Sequence, residues 1–276
     1  MTRILVPTDF SGAASNALDY ALGLNEKIQG EIIVLHAIDV PMVDGNAAFQ
    51  EHADQDAVRM LTLLAEKRFK DISQRIGDRR KEVKTSITFS HTVESIMEGI
   101  NKYNVDFVVM GASGATGSKL NPFGSNTEMV VRRSDVPVVA VPDGVKWDGM
   151  NSVVFASDFS REISPASFNS TSIIYDNFSP VNHFLKVITP QSFEKTSVAL
   201  EKMKDFGEQA GVYFTTMTPY CDFSIVEGVK HYIEQVPVNA LIIGTHGTGP
   251  FWQLFARSEA EKIIRELNLP IITFKI

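Results

Sequence analysis

Short apolar runs alternate with longer segments of mixed polarity along the whole chain. The apolar runs are rich in β-branched residues, which favours buried strands, and the segments between them have lengths typical of helices. In the first half the pattern predicts strands near 3–8, 31–38, 83–89, 105–110 and 137–141. In the second half it predicts strands near 152–157, 181–188, 212–219, 240–244 and 270–275.

The segments between the strands predict helices. The longest, roughly 50–76, begins among acidic residues and ends at Gly77, in keeping with helix-dipole and C-cap preferences. A shorter helix is predicted at about 192–210. The alternation of strands and helices predicts an α/β fold, with open parallel sheets covered by helices on both faces.

The chain repeats itself. The first strand ends in Asp9-Phe10-Ser11, and the same three residue types recur at 158–160. Gly111 recurs as Gly244. The spacing from the Asp-Phe-Ser segment to this glycine is 16 residues smaller in the second copy, so the second copy is 16 residues shorter in its middle. The turn formers between Pro142 and Met150 predict a linker. We therefore divide the chain into a domain at 1–142, a linker at 143–150 and a domain at 151–276.

Composition narrows the classes of function. The 276 residues, 44% of them hydrophobic, are enough for two modest domains. A net charge of -7 gives no overall attraction to nucleic acid or to an anionic membrane surface. One cysteine, Cys221, permits no intramolecular disulfide and fits a reducing compartment. With no signal-peptide pattern at the start and no apolar run near the length of a membrane span, we expect a cytoplasmic protein without a membrane segment.

The strongest candidate for chemistry is a glycine-rich segment after the fourth predicted strand. The strand runs into Gly111-Ala-Ser-Gly114, and nine residues later Gly124-Ser125-Asn126 opens an amphipathic helix. Glycines allow backbone to approach a ligand closely, and amides at a helix start favour an anion. This segment therefore predicts a phosphate site.

A five-stranded sheet of order 3-2-1-4-5 would bring this segment close to Asp9. Ligands of open parallel sheets bind beyond the carboxyl ends of the strands, where the strand order reverses. Asp9 follows the first strand and Gly111 the fourth, so both would lie at one crevice.

Two familiar phosphate motifs do not fit the residues. Gly114 is followed five residues later by Lys119 rather than by the Gly-Lys pair of the Walker A loop. No G-x-G-x-x-G follows either first strand, which disfavours nicotinamide and flavin cofactors. The six histidines also lack the spacing typical of a metal site, so we predict none.

The pattern Gly111-x2-Gly114-x9-Gly124-Ser125-Asn126 resembles the nucleotide motif of the universal stress protein family. The resemblance extends to the segments 7–11 and 136–141 and covers both copies. Family members that bind ATP carry this full glycine pattern. The resemblance implies that Asp9 and Ala37 lie beside ribose and adenine. It also implies that Gly111, Gly114, Gly124, Ser125 and Asn126 surround the phosphates of ATP, with or without Mg²⁺.

Simpler interpretations stay open for these residues. Glycines that end a strand are often only turn formers, and Asp9 could be a helix N-cap. The second copy departs from the motif, because Arg257-Ser258-Glu259 stands where the first copy has Gly-Ser-Asn. We interpret the second site as empty or filled by Arg257 itself. The alternative is that Arg257 pairs with a phosphate.

The fifth predicted strand of each copy is apolar, although it would form a sheet edge. Exposed apolar edges invite aggregation. Pairing the two fifth strands within one chain would cover both edges, giving a pseudo-two-fold tandem that resembles the homodimer of the family. Further homo-oligomers of the tandem chain stay open.

With these observations, the resemblance implies a stress-response protein that binds ATP in its first domain and changes its contacts with unidentified protein partners. No catalytic residue is identified, and slow ATP hydrolysis is the upper limit expected. One alternative is a nucleotide-free interaction scaffold. Another is a nucleotide α-hydrolase or ATP pyrophosphatase, which the segment Asp9-Phe-Ser-Gly12 disfavours because those enzymes carry Ser-Gly-Gly-x-Asp-Ser there.

Overall fold

The computed structural model describes most of the chain. The described residues are 1–39, 47–112, 124–159, 164–212, 214–245 and 267–275, with the side chains at 47–54, 80, 175 and 245 excepted. Within these ranges no helix has both the length and the apolar character needed to cross a bilayer.

The first half alternates strands and helices. Its strands are β1 (Arg3–Pro7), β2 (Glu31–Ala37), β3 (Val83–Thr88), β4 (Phe107–Gly111) and β5 (Val138–Val141). Its helices are α1 (Gly12–Ile28), α2 (Ala47–Ile76), α3 (Thr92–Tyr103) and α4 (Ser125–Arg133), and a 3₁₀ turn spans Gly77–Glu82. The helix boundaries follow local chemistry: the Ser11 side chain caps α1 by accepting from Ala14 N, and Gln29 ends it in the left-handed conformation.

The second half repeats this plan with shorter helices. Its strands are β6 (Ser152–Ala156), β7 (Val181–Ile188), β8 (Thr216–Cys221), β9 (Ala240–Thr245) and β10 (Ile271–Lys275). Its described helices are α5 (Pro165–Asn169), α6 (Ser172–Tyr175), α7 (Thr196–Ala210) and α8 (Ile225–Gln235), with 3₁₀ turns at Asp176–Phe178 and Pro190–Ser192. The 15-residue α7 stands where the first half has the 30-residue α2, which accounts for the shorter second copy.

All described strands belong to one sheet, in the order β3-β2-β1-β4-β5-β10-β9-β6-β7-β8. Neighbouring strands are parallel except β5 and β10, which pair antiparallel with Ile272 opposite Val139. Each half therefore has the order that the sequence predicted. The two five-stranded sheets are not separate, because the β5–β10 pair joins them into a single sheet with a pseudo-two-fold relation at its centre.

Helices cover both faces of the sheet, and the predicted α/β class is confirmed. In β1, Ile4 and Val6 face a core shared with α1 and α2, whereas Leu5 faces a second core shared with α3 and α4. This alternation follows from the two-residue period of a strand. A strand buried on both faces is continuously apolar, which is the pattern that the sequence shows.

One strand boundary was wrong. The expected strand 212–219 is observed as β8 at Thr216–Cys221. Val212 and Phe214 pack against the main core instead, beside the end of α7. Their apolar character therefore comes from core packing ahead of the strand, which a pattern of hydrophobic residues alone does not distinguish from pairing.

A cluster of phenylalanines fills the core of the second half. Phe155 on β6 lies 4.6 Å from Phe168 and 5.5 Å from Phe206, measured between ring centroids. It also contacts the rings of Phe159, Phe184 and Phe274. Phe155 of β6 thus contacts rings from β7, α5, α7 and β10, and these contacts stabilise the second half.

The segment between the halves packs closely on the first half. Trp147 lies against α1 at Gly23, where an added Cβ would come within 2.4 Å of the indole ring. The Asn16 side-chain amide donates to the carbonyl oxygens of Pro142 and Val145. Trp147 also contacts Phe178 of the second half at 5.3 Å. The segment is therefore held at several points rather than crossing freely between the halves.

A buried histidine lies between the first strands of the second half. His183 on β7 contacts the hydroxyl groups of Thr216 (Nδ1, 2.8 Å) and Ser152 (Nε2, 3.1 Å). Burial lowers the pKa of His183 below its ordinary value. The folded second half therefore favours the neutral ring.

This histidine is expected to make the second half sensitive to mild acid. Unfolded histidine titrates near 6.5, so protons bind the unfolded state first as the pH falls below about 6.5, and stability decreases down to the lower folded pKa. Comparing urea denaturation at pH 7.5 and pH 5.5 should show a loss of stability in the wild type that is smaller in His183→Gln. The exposed His231, whose pKa is raised mainly by its hydrogen bond to Asp222, acts in the opposite direction and stays present in both proteins. Equal losses in the two proteins would remove His183 as the cause.

Candidate functional site

A cleft opens at the carboxyl edge of the first half, where β1 lies between β2 and β4. Its empty volume is about 610 Å³, including space open to solvent. Four of the predicted site residues line it: Asp9, Ala37, Gly111 and Asn126. The helix α1 follows β1 on one face of the sheet and α3 precedes β4 on the other, so this is the point at which the strand order reverses.

The loop after β1 presents Asp9 at the rim of the cleft. The Asp9 carboxylate is exposed, and its Oδ1 accepts from Ser11 N at 2.9 Å. Phe10 adopts a positive φ of 63°, which turns the chain sharply into α1. Ser11 is the N-cap, so the interpretation of Asp9 as the cap is wrong. The Asp9 carboxylate is left facing the cleft rather than capping the helix.

A histidine at the end of β2 holds this loop in place. His36 Nδ1 lies 2.8 Å from the carbonyl oxygen of Thr8, and since a carbonyl only accepts, the ring must donate from Nδ1. The ring also packs against Phe10, with 4.4 Å between centroids. His36 therefore fixes the turn that carries Asp9, and it lines the same cleft beside Ala37.

The start of α4 forms the opposite rim. Gly124 N donates to the carbonyl oxygen of Ala112 at 2.7 Å, and Gly124 O accepts the first helical bond, from Glu128 N. The amides of Ser125, Asn126 and Thr127 therefore precede any intrahelical acceptor. Ser125 and Asn126 are exposed. An anion at this position would meet several amides and the positive end of the helix dipole.

Two buried features fix α4 against the end of β4. The Thr127 hydroxyl donates to the carbonyl oxygen of Gly111 at 2.9 Å. A Cβ at Gly111 would lie 3.1 Å from the backbone of Ala13 in α1, so a side chain there would push α1 away. Gly111 thus allows close helix packing as well as access to the cleft. Gly114, the remaining predicted site residue, lies outside the described residues.

The corresponding edge of the second half has a different chemistry. Lys186 stands at the position of His36 and is 7% exposed. Its Nζ donates to the carbonyl oxygen of Asp158 at 2.6 Å and pairs with Glu194 Oε2 at 2.6 Å. Lys202 pairs with the other oxygen of Glu194. Residues 246–266, including Arg257 and Glu259, lie outside the described ranges.

This ion cluster keeps Glu194 charged. Burial alone would raise the pKa of Glu194, but hydrogen bonds from Lys186 and Lys202 outweigh it, and the pKa lies below its usual value. The second half therefore carries a carboxylate paired with two lysines at the edge where the first half has its cleft.

No group of three or more histidine, cysteine, aspartate or glutamate side chains suited to a metal ion is present within the described ranges. The exposed carboxylate of Asp9 does lie at the cleft rim, where it could contact a divalent ion bound by a nucleotide.

Sequence reasoning missed several residues that build the cleft. They are Thr8, Ser11, His36, Thr92, Met110 and Thr127. His36 and Met110 are next to predicted site residues and end strands of the same sheet, so strand-end position was a usable signal for both. Thr92 and Thr127 are on helices, and only the packing of α3 and α4 brings them to this edge.

The first half thus has the crevice typical of nucleotide-binding open α/β sheets, with an anion-favouring helix start on one side. The family model described as "Universal stress protein family" matches residues 1–142. This chain therefore belongs to the universal stress protein family.

Two curated relatives illustrate how the similarity is distributed. Universal stress protein MJ0577 of Methanocaldococcus jannaschii is 29% identical over 151 residues, covering 50% of this chain and 93% of that protein. Universal stress protein Slr1230 of Synechocystis is 22% identical and covers 100% of both chains. A solved universal stress protein from Archaeoglobus fulgidus covers 99% of this chain and 98% of its own, with a TM-score of 0.71 and 21% identity. The full-length match in structure supports the overall fold.

Proposed function

We propose that this chain is a cytoplasmic stress-response protein that binds one ATP, in the cleft of its first half, and uses occupancy of that cleft to change its contacts with other proteins. The observation that carries the proposal is the convergence of Asp9, Ala37, Gly111 and Asn126 on one cleft. Family membership supports the same assignment, since the glycine pattern is that of ATP-binding members.

The geometry of the cleft suggests a role for each part. The exposed Asp9 carboxylate is suited to accept hydrogen bonds from ribose hydroxyls. The backbone at Ala37, which ends β2, is suited to read the edge of adenine. The amides of Ser125 and Asn126 and the Ser125 hydroxyl are suited to phosphate oxygens. In this proposal the residues from Gly111 to Asn126, with Gly114 among them, surround the phosphates.

We do not expect fast hydrolysis of ATP. The described lining contains no lysine and no side chain placed as a general base toward a phosphate. His36 is engaged through Nδ1 with the Thr8 carbonyl. Binding rather than turnover is therefore the expected output.

Isothermal titration with ATP tests the proposal. We expect one site per chain, lost in Gly124→Arg, because the arginine side chain would fill the space at the helix start and the Gly124 amide contact would be disturbed. The matched control is Arg257→Gly at the equivalent position of the second half, which should still show one site because Glu259 still stands where the first half has Asn126.

The outcomes separate the alternatives. No detectable binding by the wild-type chain would contradict the proposal and favour the nucleotide-free scaffold. Rapid release of AMP and pyrophosphate would favour the nucleotide α-hydrolase or pyrophosphatase. Two sites in the wild-type chain would contradict the assignment of the second half as non-binding.

A further inference from the structure

The middle of α2 exposes several large apolar side chains. Met60 is 64% exposed, Leu61 45%, Leu63 58% and Leu64 50%. Four such residues within five positions are uncommon on a solvent-facing helix, because each exposed apolar side chain forgoes the stabilisation of burial.

These side chains belong to a stripe separate from the one that faces the core. The core stripe of α2 contains Ala65 and Phe69, which are buried, with Val58 and Thr62 partly buried before them. A second stripe follows the spacing i, i+3, i+4, i+7 on another side of the helix, where all members are exposed: Ala57, Met60, Leu61 and Leu64. We call these four residues the α2 stripe. Helices with two apolar stripes usually pack against two partners.

The α2 stripe precedes the part of α2 that packs against the sheet. The Phe69 ring contacts that of Phe10, which follows β1, and Phe69 lines a groove with Ile87 near the end of β3. Phe69 is thus level with the carboxyl ends of the strands, and α2 runs down the sheet from there to Ile76. The residues of α2 before Phe69 make up about 30 Å of helix at 1.5 Å per residue.

Among its described residues, the second half has no helix of this length to pair with α2. The corresponding α7 is 15 residues long and is packed against the phenylalanine cluster through Met203 and Phe206. The pseudo-two-fold relation of the tandem therefore does not supply a partner of matching length. A second copy of the chain does supply one, namely its own α2.

The charges of α2 favour antiparallel pairing of two copies. Residues 47–57 contain three carboxylates and no lysine or arginine: Glu51, Asp54 and Asp56. Residues 65–75 contain four basic residues, Lys67, Arg68, Lys70 and Arg75, against Glu66 and Asp71. Arg75 already pairs with Asp19 of α1, and the other residues leave this region basic. The α2 stripe lies between the two regions. Antiparallel packing about the stripe places each acidic end opposite a basic end, whereas parallel packing places like charges together.

We propose that the α2 stripe is a self-association surface, through which two copies of the tandem chain pair their α2 helices antiparallel about a two-fold axis near Leu61. The same residues meet on both sides, as an isologous contact requires. The surface is independent of the nucleotide cleft and of the β5–β10 pair within each chain.

Light scattering coupled to size-exclusion chromatography tests the surface. At micromolar concentration, the mass measured for the wild-type protein should be twice the chain mass of 30.5 kDa. The variant Met60→Glu/Leu64→Glu should weaken dimerisation by about tenfold or more, because it places carboxylates in the apolar contact. The matched control Phe223→Glu, at an 87% exposed residue of the second half, should leave the dimer unchanged. A monomeric wild type, as expected if another segment of the chain covers the stripe, would overturn the proposal, as would a dimer insensitive to the double substitution.

A charge exchange tests the antiparallel direction. Asp54→Lys/Asp56→Lys makes both ends of α2 basic, and Lys67→Glu/Lys70→Glu makes both ends acidic. Each variant alone should be largely monomeric, whereas an equimolar mixture should restore a dimer containing one copy of each. Retained dimers of the separate variants, or a mixture that stays monomeric while the wild type is dimeric, would overturn the antiparallel arrangement. Circular dichroism of each variant checks that α2 is still folded.

Discussion

Replacing Phe155 by alanine is expected to lower the free energy of unfolding of the second half by about 3–5 kcal/mol, the range typical of a large buried aromatic residue. Phe155 is buried and contacts five other phenylalanine rings from β7, β10, α5, α7 and the loop after β6. Its removal leaves a cavity that the surrounding rings cannot fill without losing their own contacts. Favourable ring-to-ring geometry adds to the loss from transfer alone.

Denaturation by urea, followed by circular dichroism, measures this loss. The matched control is Phe223→Ala, which removes the same atoms from a side chain that is 87% exposed and should change stability by less than about 0.5 kcal/mol. Similar small effects from both substitutions would show that the cluster repacks around the gap, and would contradict the central position given to Phe155.

Replacing Lys186 by methionine is expected to destabilise the second half by about 2–3 kcal/mol. Removing one partner of a buried ion pair typically costs about 3–5 kcal/mol, because the other charge is left without compensation. The lower figure applies here since Glu194 keeps its pair with Lys202. The Asp158 carbonyl would also lose its hydrogen bond from Nζ.

The double substitution Lys186→Met/Glu194→Gln should recover part of this loss, because no uncompensated carboxylate then remains. The control Lys204→Met, at an exposed lysine whose Nζ lies 3.7 Å from Glu208, should change stability by less than about 0.5 kcal/mol. A double variant no more stable than the single one would show that Lys186 stabilises the fold mainly through its hydrogen bond to Asp158 rather than by compensating the Glu194 charge.

Acid provides a second readout of the same cluster. The pKa of Glu194 is lower in the folded state, so its contribution is present above the unfolded value of about 4.3 and is lost as the pH falls through the folded pKa. Lys186→Met should therefore make stability depend less steeply on pH below about 4. An unchanged slope would assign the acid sensitivity to other groups.

The repeat in the sequence was enough to predict most of the fold. Most of the strands are buried on both faces and are therefore continuously apolar, which made them predictable. The apolar fifth strands predicted the pairing of β5 with β10, which is observed with Val139 opposite Ile272. The start of β8 could not be found in this way, because Val212 and Phe214 are apolar for a different reason, namely contact with the core beside α7.

The candidate site was predictable where it depends on strand ends and glycines. Asp9 and Gly111 follow from the strand order, since parallel strands present their carboxyl ends at one edge, whereas Ala37 was implied by the family resemblance. The contributions of Thr92 and Thr127 depend on how far α3 and α4 lean toward that edge, which helix periodicity does not encode. The Lys186–Glu194 pair was missed because it joins residues on a strand and in a connection whose path the sequence does not reveal.

The central β5–β10 pair leaves the sheet with only two free borders among the described strands, β3 and β8. Exposed Lys84 lies on β3, and Pro219, which has no N–H to donate, lies on β8. Both features discourage a foreign strand from adding to the border. Growth of a fibril by strand addition from one tandem chain to the next is therefore disfavoured at both borders.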